Sequence, residues 1–237
     1  MKISIIIPTL NEEKYIGDLL NYLSENSCGC IAEIIVCDGN SIDLTRDIAQ
    51  GRGARVIALE KSCRAVQMNA GARVATGEVI YFVHADTRPP NSFIKDINSS
   101  ILNNYDIGGY RFKFDSSKWS LKFNSWMTRF NILSFRGGDQ SLFLTKKAWE
   151  ELGGFDEKFV VMEEYDLLKR ASLRFRYCLI QKDVIVSARK YDQNSWLRVN
   201  FANTVAMIMF RMNYDPQHIK KTYSKLLKNT IIGYHST

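Results

Sequence analysis

Several familiar signatures are missing from this chain, and each absence removes a class of function. No Gly-x-Gly-x-x-Gly follows the first apolar run, which argues against a dinucleotide-dependent oxidoreductase. Zinc-finger spacing, an RNP-like aromatic motif and a dense Lys/Arg block are also absent, so the net charge of +7 stands alone and no nucleic-acid partner is expected. The five cysteines are odd in number and lack paired Cys-x-x-Cys spacing, which predicts reduced thiols. Cys28-Gly-Cys30 offers only two thiolates, too few for a closed metal site, and reads as a loop pair. Met1-Lys2-Ile3-Ser4 runs straight into a strand-like segment, too short for a secretory leader, and a cytoplasmic protein is expected. No apolar run reaches the roughly 20 residues that a membrane-spanning helix requires. Residues 196–212 come nearest, but Arg198, Asn200, Asn203 and Thr204 interrupt them. A helix packed on a sheet is the favoured reading there; an interfacial helix at the inner face of a membrane is the alternative.

What is present is a repeated strand-then-helix pattern. The 237 residues, 46% hydrophobic, suit a single domain. Ile3-Ser4-Ile5-Ile6-Ile7 precedes a helical pattern at Ile16, Leu19, Leu20 and Leu23, for which Asn11 is the expected cap. Glu33-Ile34-Ile35-Val36-Cys37 precedes a helix over residues 41–49 that Gly51 and Gly53 end, and residues 54–58 form the next strand. A helix near residues 65–75 stops at Thr76-Gly77 and feeds the strand at 78–83. The first third therefore reads βαβαβαβ, which calls for a parallel sheet. Three of these strands end in polar tips: Pro8-Thr9-Leu10-Asn11-Glu12, Asp38-Gly39-Asn40-Ser41 and His84-Ala85-Asp86-Thr87. In open α/β sheets ligands gather outside the carboxyl ends of the strands, so Asp86 is placed to hold a cation against an anionic substrate.

Beyond Pro90 the pattern changes. A helix near 92–102 precedes an alternating strand at 109–114, which makes the sheet mixed. Trp119, Phe123, Trp126, Met127 and Phe130 recur at helical spacing, a pattern that predicts a core-facing helix. Two polar loops follow, Gly137-Gly138-Asp139-Gln140 and Gly153-Gly154-Phe155-Asp156, the second ahead of Glu163-Glu164-Tyr165-Asp166.

Together these motifs resemble the family 2 glycosyltransferases. Pro8-Thr9-Leu10-Asn11-Glu12 is similar to the family's opening, and residues 38–45 to its Asp-Gly-Ser-x-Asp-x-Thr. Arg64 to Gly71 is similar to its Arg-x-x-x-x-Asn-x-Gly. His84-Ala85-Asp86-Thr87, Gln67-Met68-Asn69-Ala70-Gly71 and Asp215-Pro216 resemble a bacterial subgroup that writes its metal motif His-Ala-Asp-Thr. The chain departs from the usual Asp-x-Asp at His84 and from the usual Glu-Asp pair at Glu164.

The resemblance implies a GT-A fold: a Rossmann-like, mostly parallel mixed sheet flanked by helices. One domain over 1–237 would comprise a nucleotide-binding half at 1–90, an acceptor-side half at 91–190 and a helical end at 191–237. It implies an inverting transfer of sugar from a nucleotide-diphosphate donor, UDP- or GDP-linked, to an acceptor hydroxyl. The nucleotide side would comprise Pro8, Thr9, Glu12, Asp38, Arg64, Asn69, His84 and Asp86, with Asp86 holding Mg2+ or Mn2+. Glu164 is the implied base, Glu163 its support or substitute, and Gly138, Asp139, Gln140 and Arg189 face the sugar, diphosphate or acceptor. Saccharide, lipid-linked and small-molecule acceptors stay open, as does peripheral membrane contact. A non-catalytic nucleotide-sugar binding module is the competing reading; a sugar-phosphate nucleotidyltransferase ranks lower because its Gly-rich opening loop is missing.

Overall fold

The computed structural model describes residues 1–60, 63–132 and 140–228. Its first third follows the predicted alternation: β1 (Ile3–Thr9), α1 (Glu13–Glu25), β2 (Ile31–Asp38), α2 (Thr45–Gly51), β3 (Arg55–Ala58), α3 (Arg64–Val74) and β4 (Val79–Phe82). There follow β5 (Thr87–Arg88), α4 (Phe93–Leu102), β6 (Ile107–Phe114), α5 (Trp119–Met127), β7 (Phe143–Thr145) and α6 (Lys146–Leu152). The remainder comprises α7 (Glu163–Ala171), β8 (Tyr177–Val186), α8 (Lys190–Gln193), α9 (Trp196–Arg211) and α10 (Pro216–Leu226).

Among the described residues the strands form one eight-stranded mixed sheet in the order β3-β2-β1-β4-β7-β6-β8-β5. The β3-β2-β1-β4 block is parallel, and β7 joins it antiparallel. β1 has both faces covered, which is why its apolar residues form a run rather than an alternation. Side chains still alternate across the pleat: Ile5 and Ile7 pack with α1 residues Ile16 and Leu20, while Ile6 packs with Met68 and Ala72 of α3. β2 and β4 flank β1 on opposite sides, so the strand order reverses there and the cleft opens beside its carboxyl end.

Three local expectations are corrected. Asn11 does not cap α1: it sits in a left-handed conformation (φ 55°), and its side-chain carbonyl accepts from the Ile42 N–H. The N-cap is Glu12, without a side-chain bond. The aromatic residues of α5 do not face the core: Leu121 alone is buried in that helix, and Trp119 is 76% exposed. Finally, α9 packs mainly on α10, burying Val199, Ala202, Ala206 and Phe210 with Ile219 and Tyr223, and it meets the sheet-side core through Trp196 at its start.

Gly71 sets the distance between α3 and the sheet. A Cβ there would lie 2.6 Å from Ile6 Cγ2 and 2.8 Å from Cys37 Sγ. Gly71→Val is expected to destabilise the fold by about 1–3 kcal/mol through overpacking. Urea unfolding checks this: the midpoint falls at constant m value, and an unchanged midpoint would contradict the packing described.

Candidate functional site

The tips of β1 and β2 are locked together before any ligand is considered. Asp38 is fully buried and accepts hydrogen bonds from Thr9 Oγ1 (3.1 Å), the Ser41 N–H (2.9 Å) and Ser41 Oγ. Gln67 donates its side-chain amide to the Thr9 carbonyl (2.7 Å) and the Cys37 carbonyl (2.8 Å). One amide thereby ties the ends of two strands together, adding to the Gly39 N–H bond that the Thr9 carbonyl also accepts. This leaves Pro8, Thr9 and Glu12 on the wall of a cleft of about 840 Å³.

The β4 tip supplies His84 and Asp86 to the same wall. A turn follows, with the Thr87 N–H bonded to the His84 carbonyl (3.0 Å), and β5 then pairs antiparallel with β8. That pairing carries the segment after β8 over the cleft. Arg189 donates from both terminal nitrogens to Glu12, at 2.8 and 2.6 Å, and its Nε lies 2.9 Å from Asp86 Oδ2. Burial opposes the guanidinium's charge, but the Glu12 hydrogen bonds and the Asp86 and Glu12 charges outweigh it and raise its proton affinity. The guanidinium also lies over the Tyr15 ring, 5.0 Å from its centroid.

The opposite wall is the start of α7. Met162 is in a left-handed conformation (φ 75°) that turns the chain into the helix, and Glu163 and Glu164 occupy its first turn. Both are buried, and both line the cleft. Burial first and the neighbouring Glu164 second raise the proton affinity of Glu163, and Arg64 offsets part of this. His84 Nε2 lies 3.6 Å from Glu164 Oε1, an ion-pair distance longer than a hydrogen bond. Asp166 faces elsewhere: its carboxylate holds Arg170, which also donates to the Leu152 and Gly154 carbonyls.

Pro8, Thr9, Glu12, Arg64, His84, Asp86, Glu163, Glu164 and Arg189 thus share one cleft. Other expected residues lie off it. Asp38 is behind the wall, its carboxylate oxygens engaged by Thr9 and Ser41. Asn69 clamps the 153–157 loop, accepting from the Phe155 N–H and donating to the Phe155 carbonyl and Glu157. Gln140 is buried outside the cleft lining. Gly138 and Asp139 fall outside the described residues.

Sequence reasoning assigned no role to Gln67. The signal was its position one helical turn beyond Arg64, on the same face of α3. It also missed the helical half of the cleft, which Phe123 and Met127 of α5 line together with Trp196, Met207 and Ile208 of α9.

The family profile described as "Glycosyl transferase family 2" matches residues 4–152, which takes in β1 through α6. The chain belongs to glycosyl transferase family 2. Among curated relatives of this family 2 chain, glucosyl-3-phosphoglycerate synthase of Mycolicibacterium paratuberculosis is 32% identical over 97 residues, 38% of this chain and 30% of that protein. Dolichol-phosphate mannosyltransferase of Pyrococcus furiosus is 32% identical over 113 residues, covering 45% and 32% of the two chains. The matched region thus spans only about a third of those relatives' length. Of solved structures, S. aureus TarS 1-349 in complex with UDP-GlcNAc superposes with a TM-score of 0.68 at 20% identity, over 95% of this chain and 71% of that one. Glucosyl-3-phosphoglycerate synthase from Mycobacterium tuberculosis, with Mn2+, UDP and glucosyl-3-phosphoglycerate, gives 0.62 at 16% identity, over 86% and 79%. These likenesses show that the fold is the GT-A one that the motifs imply.

The buried pair gives a pH signature. A carboxyl whose folded pKa is raised contributes stability that is complete below its unfolded pKa and lost as pH rises through the folded one. For Glu163 the loss begins above the ordinary 4.5 and continues as pH climbs to its raised value. Glu163→Gln is therefore expected to flatten the fall in melting temperature over that window. Parallel pH-dependent melts of both proteins check this, and equal slopes would contradict it.

Proposed function

We propose that the chain transfers a sugar from a nucleotide-diphosphate donor, UDP- or GDP-linked, to an acceptor hydroxyl with inversion at the anomeric carbon. The carrying observation is that Asp86, at a strand tip, and Glu164, at a helix start, line one cleft beside His84 and Arg189. The TarS structure with UDP-GlcNAc and the mycobacterial one with UDP and Mn2+ support the donor class and a divalent cation.

The donor set suits Mg2+ or Mn2+ held jointly by protein and substrate. Among the described residues no group of three or more His, Cys, Asp or Glu could hold a metal alone. Asp86 instead offers a hard carboxylate, its side chain 15% exposed at the cleft, and hard cations complete their shells with phosphate oxygens and water. Bound there, the cation would supply Lewis-acid neutralisation of charge on the departing diphosphate.

The protein's own groups do the rest. Pro8, Thr9 and Gln67 form the floor against which the nucleoside rests, and Arg64 adds positive charge at the start of α3. Asp38 and Asn69 act behind that floor, one fixing the strand tips and the other the loop before α7. Arg189 offers charge-assisted hydrogen bonds to diphosphate oxygens. Two adjacent buried carboxylates do not both ionise readily. Glu163 keeps its proton, and the base role falls to Glu164, which also lies beside His84. The acceptor oxygen bonds to the anomeric carbon as the bond to the diphosphate oxygen breaks, and the acceptor proton passes to Glu164. The product leaves with inverted configuration.

Glu164→Gln is expected to lower kcat by about 10²–10⁴-fold while UDP binding persists. Asp86→Asn is expected to remove the cation-dependent part of turnover. Nucleotide release from UDP- and GDP-sugars, with UDP-induced thermal shifts alongside, reads both outcomes. Full activity in Glu164→Gln would remove it as the base, and nucleotide binding without turnover in the wild type would make the chain a binding module.

A further inference from the structure

The outer surface of α5 and α9 carries an apolar face of unusual composition. The helices are joined side by side: Trp196 Nε1 donates to Asn124 Oδ1 (3.2 Å), and Asn124 Nδ2 donates to Asn200 Oδ1 (3.3 Å). On α5, Trp119, Phe123 and Trp126 are exposed, and the rings of Phe123 and Trp126 stack at 6.2 Å. On α9, Leu197 is 72% exposed and Phe201 60%. A helix whose only task was to cover the core would turn such residues inward.

Charge tells what this face suits. Neither residues 116–132 nor residues 193–214 contain an Asp or Glu. Their charged residues are Lys118, Lys122 and Arg129 on the α5 side and Arg198 and Arg211 on the α9 side. Arg129 lies over the Trp126 ring, 5.6 Å from its centroid. Aromatic residues interleaved with cations and free of acids are the composition of a helix lying in a lipid interface, where rings enter the headgroup layer and cations meet anionic lipid.

The face is also continuous with the cleft. Phe123 and Ile208 both line the cleft and reach the outer surface, at 47% and 51% exposure. No described helix is long and apolar enough to cross a membrane, so attachment through this face is peripheral. We propose that the joined α5–α9 surface seats the protein on an anionic bilayer, with the mouth of the cleft turned toward the lipid. The proposal stands independently of the donor chemistry.

Flotation with vesicles of phosphatidylcholine and of phosphatidylcholine with phosphatidylglycerol tests it, alongside tryptophan emission and light scattering. The wild type is expected to float with the anionic vesicles with a blue-shifted emission. The Leu197→Ser/Phe201→Ser variant is expected to bind about tenfold more weakly or less, because its apolar contribution is gone. Both residues lie off the cleft lining, so melting temperature and UDP-induced shift should be retained in the variant. Absence of flotation would overturn the proposal, as would flotation equal in wild type and variant. A concentration-dependent dimer abolished by the same substitutions would assign the face to a second copy instead. Flotation failure with an intact UDP shift overturns this inference alone; a missing UDP shift with intact flotation overturns the proposed function alone.

Discussion

One guanidinium holds the working end of this molecule together. Arg189 meets Glu12, just past β1, and Asp86, just past β4, from a segment that follows β8. Two carboxylates converging on a cleft repel each other unless a cation lies between them. The parallel half of the sheet brings them together, and the β5–β8 pairing supplies the positive charge. A diphosphate and its cation would enter this arrangement by redistributing charges that already balance. Arg189 would exchange carboxylate oxygens for phosphate oxygens, the kind of partner for which its fork is shaped.

Around that constraint the site divides into groups that face the cleft and groups that hold the wall. Asp38, Gln67 and Asn69 make hydrogen bonds between segments distant in sequence, spending polar atoms on backbone groups, neighbouring hydroxyls and, for Asn69, the Glu157 carboxylate. Such bonds preorganise the strand tips and the loop before α7, so the facing groups need little rearrangement to act. Glu163 and Glu164 lie at the other side on a helix start, where the dipole favours a charge that burial disfavours. For Glu163 burial prevails and raises its proton affinity.

Much of this was legible in sequence because it rests on local pattern. The βαβαβαβ order and the polar tips follow from strand-ending residues and helical periodicity, while the pairing of Asp86 with Glu163 and Glu164, which line one cleft, was implied by the family resemblance. Other features were not. A helical repeat of aromatics in α5 reveals one apolar face but says nothing about what covers it, and here that face is open. Asn69 reads alike as a ligand contact and as a loop clamp, since an amide offers the same donor and acceptor to either. The Arg189–Glu12 contact spans 177 positions and depends on strand pairing that no local period encodes.

The central claim is that Asp86 and a nucleotide diphosphate jointly hold a divalent cation. Titration of Mn2+ into the protein, followed by loss of the free-ion EPR signal with and without UDP, addresses it directly. The account predicts tight Mn2+ uptake only when UDP is present, and its loss in Asp86→Asn. Uptake that is equal in Asp86→Asn and wild type would contradict it.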